Sequence, residues 1–132
     1  MKVTYLIFLL LVSNIKTFAQ QEENDTTIYM LVDRYPVLIA NRKEYEYKEL
    51  KYFIREHLVY PDNGNDCSGT VYISFVIEKN GEISSKRFER KLCPGFDENA
   101  MHVIDLMKNW NPGMKDGKRV RTKLTVPVRW IL

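Results

Sequence analysis

The sequence predicts an α+β fold in which two helices cover one face of a small antiparallel sheet, roughly in the order β-α-β-β-α-β. Three observations predict it. Two segments repeat apolar residues at helical spacing. A third segment alternates apolar and polar residues and leads to an Asn-Gly turn, and residues 119–132 show the same alternation. Amphipathic helices and a one-sided antiparallel sheet bury their apolar faces against each other as two layers.

The first helix is predicted over residues 46–58. Its apolar positions recur three and four residues apart, which places them on one face: Tyr47, Leu50, Phe53 or Ile54, and Leu58. The pair Tyr60-Pro61 then ends the helical pattern, because the residue before a proline is disfavoured in helical conformation.

A hairpin is predicted to follow. Alternate residues of its first strand are apolar: Val71, Ile73, Phe75 and Ile77. The pair Asn80-Gly81 is a strong turn signal. The return strand, residues 82–92, alternates less regularly, and this indicates a β-bulge.

The two cysteines, Cys67 and Cys93, are predicted to form a disulfide. An even pair in an exported chain is typical of a bridge. A three-residue loop at 79–81 would also place these cysteines opposite each other at the base of the hairpin. A bulge would change that register, so the agreement alone does not establish the bridge, but it suggests that the bridge ties the base of the hairpin.

The second helix is predicted over residues 96–110, with Asp97 as its N-cap. Trp110 comes at the end of this pattern, and Pro112 and Gly113 follow it. A proline stops a helix and a glycine permits a reversal of the chain. We therefore interpret Trp110 as an apolar anchor where the chain turns back onto the sheet.

The last strand is predicted over 119–132. Its even-numbered residues are mostly apolar, and its odd-numbered residues include Arg121, Lys123 and Arg129. Pro127 has no N–H to donate and therefore indicates an edge or a bulge.

The N-terminal residues 1–19 are predicted to be a signal peptide. Lys2 precedes an apolar run that is short for a membrane span, and Ala19 suits a cleavage site. An inner-membrane anchor facing the periplasm is the alternative. Residues 20–32 are predicted to be a loose segment, although 28–32 could form a short strand, and residues 33–132 are predicted to be one domain.

Several function classes find no support in the residues. No nucleophile-elbow, zinc-protease or phosphate-loop motif occurs, so we expect no enzymatic activity and no cofactor. The cysteines and histidines do not have zinc-site spacing. Loss of Lys2 and Lys16 with the signal lowers the formal net charge from +3 to +1, which argues against nucleic acid as a partner.

Motifs along most of the chain together resemble the C-terminal domain of TonB-type energy transducers, in the form common in Bacteroidota. The first half of the pattern is Tyr60-Pro61, then Gly69-x-Val71-x-x-x-Phe75-x-Ile77 and Asn80-Gly81-x-Ile83. The second half is Asp97-x-x-Ala100, Trp110-x-Pro112-Gly113, Gly117-x-x-Val120 and Val126-Pro127-Val128.

The resemblance implies a periplasmic domain that binds a short peptide, the TonB box, of an outer-membrane TonB-dependent receptor during nutrient transport. The peptide would add as a strand to the C-terminal strand. The residues implied in this edge are Val120, Arg121, Thr122, Lys123, Leu124, Thr125, Val126 and Arg129, and the structural anchors are Tyr60, Pro61, Trp110, Pro112 and Gly113.

The chain departs from the transducer pattern at its N-terminal end. The apolar run is signal-like, and no long spacer precedes the domain, so engagement of the ExbB/ExbD motor is not expected. Another envelope protein is an alternative partner. A second alternative is a structural or regulatory domain that forms a homodimer or pairs with a true transducer.

Overall fold

A computed structural model describes residues 25–131, so the predicted signal peptide, 1–19, lies outside the described residues. Within residues 25–131, two helices and eight strands form an α+β fold, which confirms the predicted class. The strands are β1 (Ile28–Tyr29), β2 (Val37–Ala40), β3 (Lys43–Tyr45), β4 (Gly69–Ile77), β5 (Ile83–Arg90), β6 (Trp110–Asn111), β7 (Gly113–Lys115) and β8 (Lys118–Trp130). The helices are α1 (Leu50–His57), which follows a single 3-10 turn (Tyr47–Glu49), and α2 (Phe96–Asp105).

The main sheet has the order β1-β8-β4-β5, with β7 also paired to β8. The longest ladder joins β4 to β8 in antiparallel register, from Gly69 opposite Trp130 to Ile77 opposite Thr122. β1 pairs with β8 in parallel. The predicted last strand is therefore an inner strand over part of its length and an edge over the rest.

The core lies between one face of this sheet and the two helices. Alternate residues of β4 and β8 are buried on that face, as the alternation predicts: Val71, Ile73, Phe75 and Ile77 from β4, and Leu124, Val126, Val128 and Trp130 from β8. The helices contribute Leu50, Phe53, Ile54, Ala100, Val103 and Ile104. Since burial of one such side chain stabilises the fold by about 1.5–3 kcal/mol, this layer holds the sheet in place.

The β4–β5 hairpin has the predicted three-residue loop. The Gly81 N–H donates to the Glu78 carbonyl at 2.9 Å, and the Glu78 N–H donates to the Glu82 carbonyl at 2.8 Å. Gly81 takes a positive φ of 85°. A side chain there would also collide with the Trp110 carbonyl oxygen, which lies 2.2 Å from an added Cβ. The turn thus needs glycine for two reasons.

Two register shifts interrupt the β4–β5 ladder, at Tyr72/Ile73 and at Ser74/Val76, and they agree with the predicted irregularity. They move the pairing, so that Tyr72 lies opposite Arg90. The disulfide Cys67–Cys93 forms nonetheless, just beyond the ends of both strands. The bridge therefore ties the base of the hairpin, but not through the uninterrupted register that the loop alone predicts.

Two details of the second helical region were predicted wrongly. Gly95, not Asp97, is the N-cap of α2, and the Asp97 carboxylate accepts the Leu92 N–H at 2.7 Å instead. The helix ends at Asp105, and Trp110 lies in β6. Asp97 therefore joins the helix to the end of the hairpin rather than capping the helix.

Trp110 is nevertheless a buried anchor, because β6 is one strand of a second, three-stranded sheet ordered β3-β2-β6. Trp110 lies opposite Leu38 of β2 and is only 4% exposed. Its Nε1–H donates to the Met107 carbonyl at 2.9 Å, and its ring lies 5.9 Å from that of Phe75. The indole thus connects the small sheet to the main core.

Gly113 serves a different purpose from the predicted reversal. It is buried at the start of β7, opposite Val120 of β8. An added Cβ would lie 2.1 Å from the Thr122 Oγ1, and Thr122 is itself fully buried. Glycine is needed here for close approach of β7 to β8.

No helix within residues 25–131 is long and apolar enough to span a bilayer.

Candidate strand-binding edge

The strand β8 has one edge that is only partly occupied. On one side it pairs with β4 over residues 122–130. On the other side it pairs with β1 at Arg121 and Thr122, while β7 pairs with β8 at 118–120, before the ladder with β4 begins. None of the described strands pairs with residues 123–130 on that second side. We call the stretch Lys123–Arg129 on that side the open edge.

The backbone groups that face the open edge belong to alternate residues. The Thr125 carbonyl accepts a hydrogen bond from the Tyr47 hydroxyl at 2.6 Å, so it points away from β4. Since the N–H and C=O of a strand residue point to the same side, Lys123, Thr125, Pro127 and Arg129 share this direction. Pro127 presents a carbonyl but no N–H, which fits its predicted place at an edge.

The eight residues that the family resemblance placed in the edge divide into three groups. Val120, Arg121 and Thr122 lie where β7 and β1 already pair with β8. Leu124 and Val126 are buried in the core, and their backbone groups face β4. Lys123, Thr125 and Arg129 lie on the open edge with side chains on the outer face of the sheet.

The cations of this face differ in what they contact. Arg121 donates to both oxygens of the Glu78 carboxylate, at 2.7 and 2.9 Å, and to the Thr26 carbonyl at 2.8 Å. The Lys123 Nζ lies 3.6 Å from Glu89. Within residues 25–131, Arg129 makes no ion pair. Arg129 is therefore the cation of this set that is open to an incoming anionic group.

The Glu78–Arg121 pair makes a specific pH dependence testable. The hydrogen bond from Arg121 holds the pKa of Glu78 below its usual 4.5, against the opposing effect of burial. A carboxyl with a lowered folded pKa stabilises the fold above its unfolded pKa and loses that contribution as pH falls through the folded value. Glu78→Gln should therefore cost about 0.5–1 kcal/mol at pH 7 and nothing at pH 2.

Urea unfolding at several pH values measures this difference. Glu44→Gln is a matched control, because it removes an exposed carboxylate of β3 that forms no ion pair with the described residues. An equal stability loss for Glu78→Gln at both ends of the pH range would contradict the pair as its origin.

The opposite edge of the main sheet, on β5, is poorly suited to accept a strand. It carries two register shifts, and Ser85 has a positive φ of 51°. Its exposed residues include Lys86, Arg87 and Arg90. Bulges and charges on an edge strand oppose pairing with another chain, so β8 offers the more regular edge.

The anchors Tyr60 and Pro61 lie beside the end of the open edge. The Tyr60 hydroxyl donates to the Ile131 carbonyl at 2.5 Å and accepts the Ile131 N–H at 3.3 Å. Its ring packs edge-on against Trp130 at 4.9 Å. Pro61 packs close to Gly95, at the N-cap of α2. Pro112 separates β6 from β7.

The stretch 28–32 was predicted to belong to a loose segment or to form a short strand, and its first two residues do form a strand, β1, beside the open edge. The contact of Tyr47 with this edge escaped the sequence reasoning, because Tyr47 was assigned to the apolar face of the first helix, whereas it is 39% exposed and its hydroxyl bonds to the strand edge. A tyrosine at the start of a helix satisfies the same apolar spacing whether it faces the core or the rim.

His57 contacts groups of its own helix, α1. The His57 ring stacks on Phe53 at 4.1 Å, and its Nδ1 lies 2.8 Å from the Phe53 carbonyl. In the described part of the chain, no group of three His, Cys, Asp or Glu side chains is placed to hold a metal ion.

Comparison with protein-family models gives a match to the Gram-negative bacterial TonB protein C-terminal over residues 56–132. The chain belongs to this family. Searches of the curated proteins and of the solved structures returned no match. The family match covers the last two residues of α1, then the hairpin, α2 and the whole of β8, and therefore includes the open edge.

Membership of the TonB C-terminal family makes this a TonB-like domain of periplasmic type. The family is related to transport and is not catalytic, and its members generally interact with outer-membrane receptors. The family model begins at residue 56, so β1, Tyr35 and Tyr47 lie outside the matched part. These residues are features of this chain's own structure.

Proposed function

We propose that this domain binds an extended peptide of an outer-membrane receptor, of the TonB-box kind, by adding it as a strand to the open edge Lys123–Arg129. The single observation that carries the proposal is the free outer side of β8, which is bounded by β1 at one end and by Tyr60 at the other. In this proposal the chain works in the periplasm, after export directed by residues 1–19.

Strand addition fits the groups on this edge. Main-chain hydrogen bonds supply affinity in such complexes, and side-chain contacts add specificity. The outward groups of Thr125, Pro127 and Arg129 form a short ladder with one missing donor at the proline. The same side of β8 already accepts β1 in parallel at Arg121 and Thr122, which supports its capacity to pair further.

The chemistry of the outer face favours an acidic residue in the peptide. Arg121 is held by Glu78, and Lys123 lies near Glu89, so both are partly neutralised. Arg129 at the end of the open edge is exposed and is available to a carboxylate. An exposed ion pair of this kind contributes about 0.2–1 kcal/mol. It would therefore change which peptides are preferred, whereas the backbone pairing would provide most of the affinity.

Thr125→Pro tests the proposal directly. This change removes an outward N–H from the open edge and leaves the ladder with β4 intact, since the Thr125 backbone faces away from β4. We expect it to weaken binding of a synthetic TonB-box peptide by about tenfold or more, because a backbone pairing is lost and the proline ring obstructs the incoming strand. Isothermal titration calorimetry measures the affinity.

Thr125→Ala is the matched control. It removes the same side chain but keeps the N–H, so its affinity should stay within about twofold of the wild type. Thermal unfolding of both variants checks that the fold is retained. Equal affinities for the proline and alanine variants would exclude the open edge as the binding site. A concentration-dependent dimer with no peptide binding would favour the alternative, self-associating function.

A further inference from the structure

Two tyrosine hydroxyls already occupy backbone groups on the outward side of β8. Tyr47, in the 3-10 turn before α1, donates to the Thr125 carbonyl at 2.6 Å. Tyr60, just after α1, exchanges hydrogen bonds with the Ile131 carbonyl and N–H. The two tyrosines thus flank α1 at its opposite ends, and each reaches from the helix layer to the rim of the sheet.

Their positions divide the strand unequally. Tyr60 acts at Ile131, one residue beyond the last residue of β8. Tyr47 acts at Thr125, in the middle of the open edge. Between the two lie only the outward groups of Pro127 and Arg129. The hydroxyl of Tyr47 therefore sits where an incoming strand would pair, whereas that of Tyr60 sits where the pairing would stop.

The Tyr47 side chain is held in this position from the N-terminal side of the domain. Its ring stacks on Tyr35, with centroids 5.5 Å apart and planes inclined by 20°. The Tyr35 hydroxyl donates weakly to the Met30 carbonyl at 3.4 Å, directly after β1. Tyr47 is 39% exposed, so solvent space is available for its ring to swing outwards.

We propose that the Tyr47 hydroxyl is a placeholder on the open edge, which the backbone N–H of the incoming peptide strand replaces at the Thr125 carbonyl. Tyr60 occupies the backbone groups of Ile131 and so limits the stretch of β8 that the peptide can pair with, which we call the binding window. This inference rests on the proposed function and adds a residue that controls affinity at that site. Without peptide, the placeholder keeps a strand carbonyl satisfied and makes the edge less available to other sheets.

The direction in which the placeholder changes the affinity for the peptide can be predicted. The incoming N–H gains one hydrogen bond at Thr125 only after the existing one is broken, so the exchange is close to neutral. Tyr47→Phe removes the competing bond and keeps the ring stacked on Tyr35. It should tighten binding of a synthetic TonB-box peptide by about two- to tenfold, the fold-change of one net hydrogen bond.

Two further variants make the test specific. Tyr47→Ala also removes the ring and should bind at least as tightly as Tyr47→Phe. Tyr52→Phe is the control, because Tyr52 is an exposed tyrosine of α1 whose hydroxyl makes no hydrogen bond with β8 in the described part of the chain, and it should leave the affinity unchanged. Titration calorimetry gives the affinities, and amide NMR shifts of residues 123–129 locate the peptide on the edge.

The outcomes separate this inference from the proposed function. Binding by the wild type that Tyr47→Phe and Tyr47→Ala leave unchanged or weaken would overturn the placeholder alone. A gain by Tyr52→Phe equal to that of Tyr47→Phe would also overturn the placeholder, because it would show that release of the Thr125 carbonyl is not the cause of the gain. Failure of every protein, including the wild type, to bind any receptor peptide would overturn both.

Discussion

Replacing Trp110 with alanine is expected to lower the free energy of unfolding by about 3–5 kcal/mol, the range for large aromatic residues removed from a core. The indole is almost completely buried, contacts Phe75, and donates to the Met107 carbonyl. It also belongs to β6, which pairs with Leu38 of β2. The substitution therefore leaves a cavity where the two sheets meet. Urea unfolding measures the change.

Trp110→Phe separates the two contributions of the side chain. It keeps much of the apolar contact but removes the N–H donor, so it should cost clearly less than the alanine variant. A loss below about 1 kcal/mol for Trp110→Ala would show that the neighbouring side chains fill the space and that the anchor role is wrong.

Removal of the Cys67–Cys93 bridge is expected to have the second largest effect. The two cysteines are 26 positions apart, and closing a loop of that size stabilises the fold by about 3 kcal/mol in the chain-entropy model. The double variant Cys67→Ser/Cys93→Ser should therefore melt at a lower temperature than the oxidised wild type. Differential scanning calorimetry measures both.

Excess reductant supplies the matched condition for this comparison. Once the wild-type bridge is reduced, wild type and double variant should melt within a few degrees of each other, because both then lack the cross-link. If the variant stays less stable by the same amount in reductant, packing of the sulfur atoms rather than the cross-link accounts for the loss.

Local chemistry determined the features that the sequence predicted well. The loop Lys79-Asn80-Gly81 follows from the conformational needs of a tight hairpin, which Gly81 meets within the turn itself. The faces of β4 and β8 follow from strict alternation, since a strand with one buried face fixes which residues point inward. The prediction of the disulfide followed from the even number of cysteines and from the predicted export of the chain.

Tertiary pairing determined the features that the sequence could not reveal. Trp110 continues a helical apolar spacing, yet it joins β2, a strand more than seventy positions earlier in the chain. Asp97 resembles an N-cap because its type suits one, but Gly95 begins the helix and frees the carboxylate for Leu92. The open edge itself depends on where β1 stops, and two paired residues leave almost no periodic signal.

The central position of β8 also constrains when the domain can form. Every other strand of the main sheet precedes β8 in the chain, and both β1 and β4 need β8 as their partner. A chain that lacks β8 can therefore form the β4–β5 hairpin, the small β3-β2-β6 sheet and the helices, but it lacks the strand whose apolar face completes the core. Because such long-range pairings must wait for their partner and slow folding, we expect the domain to close only when β8 joins it.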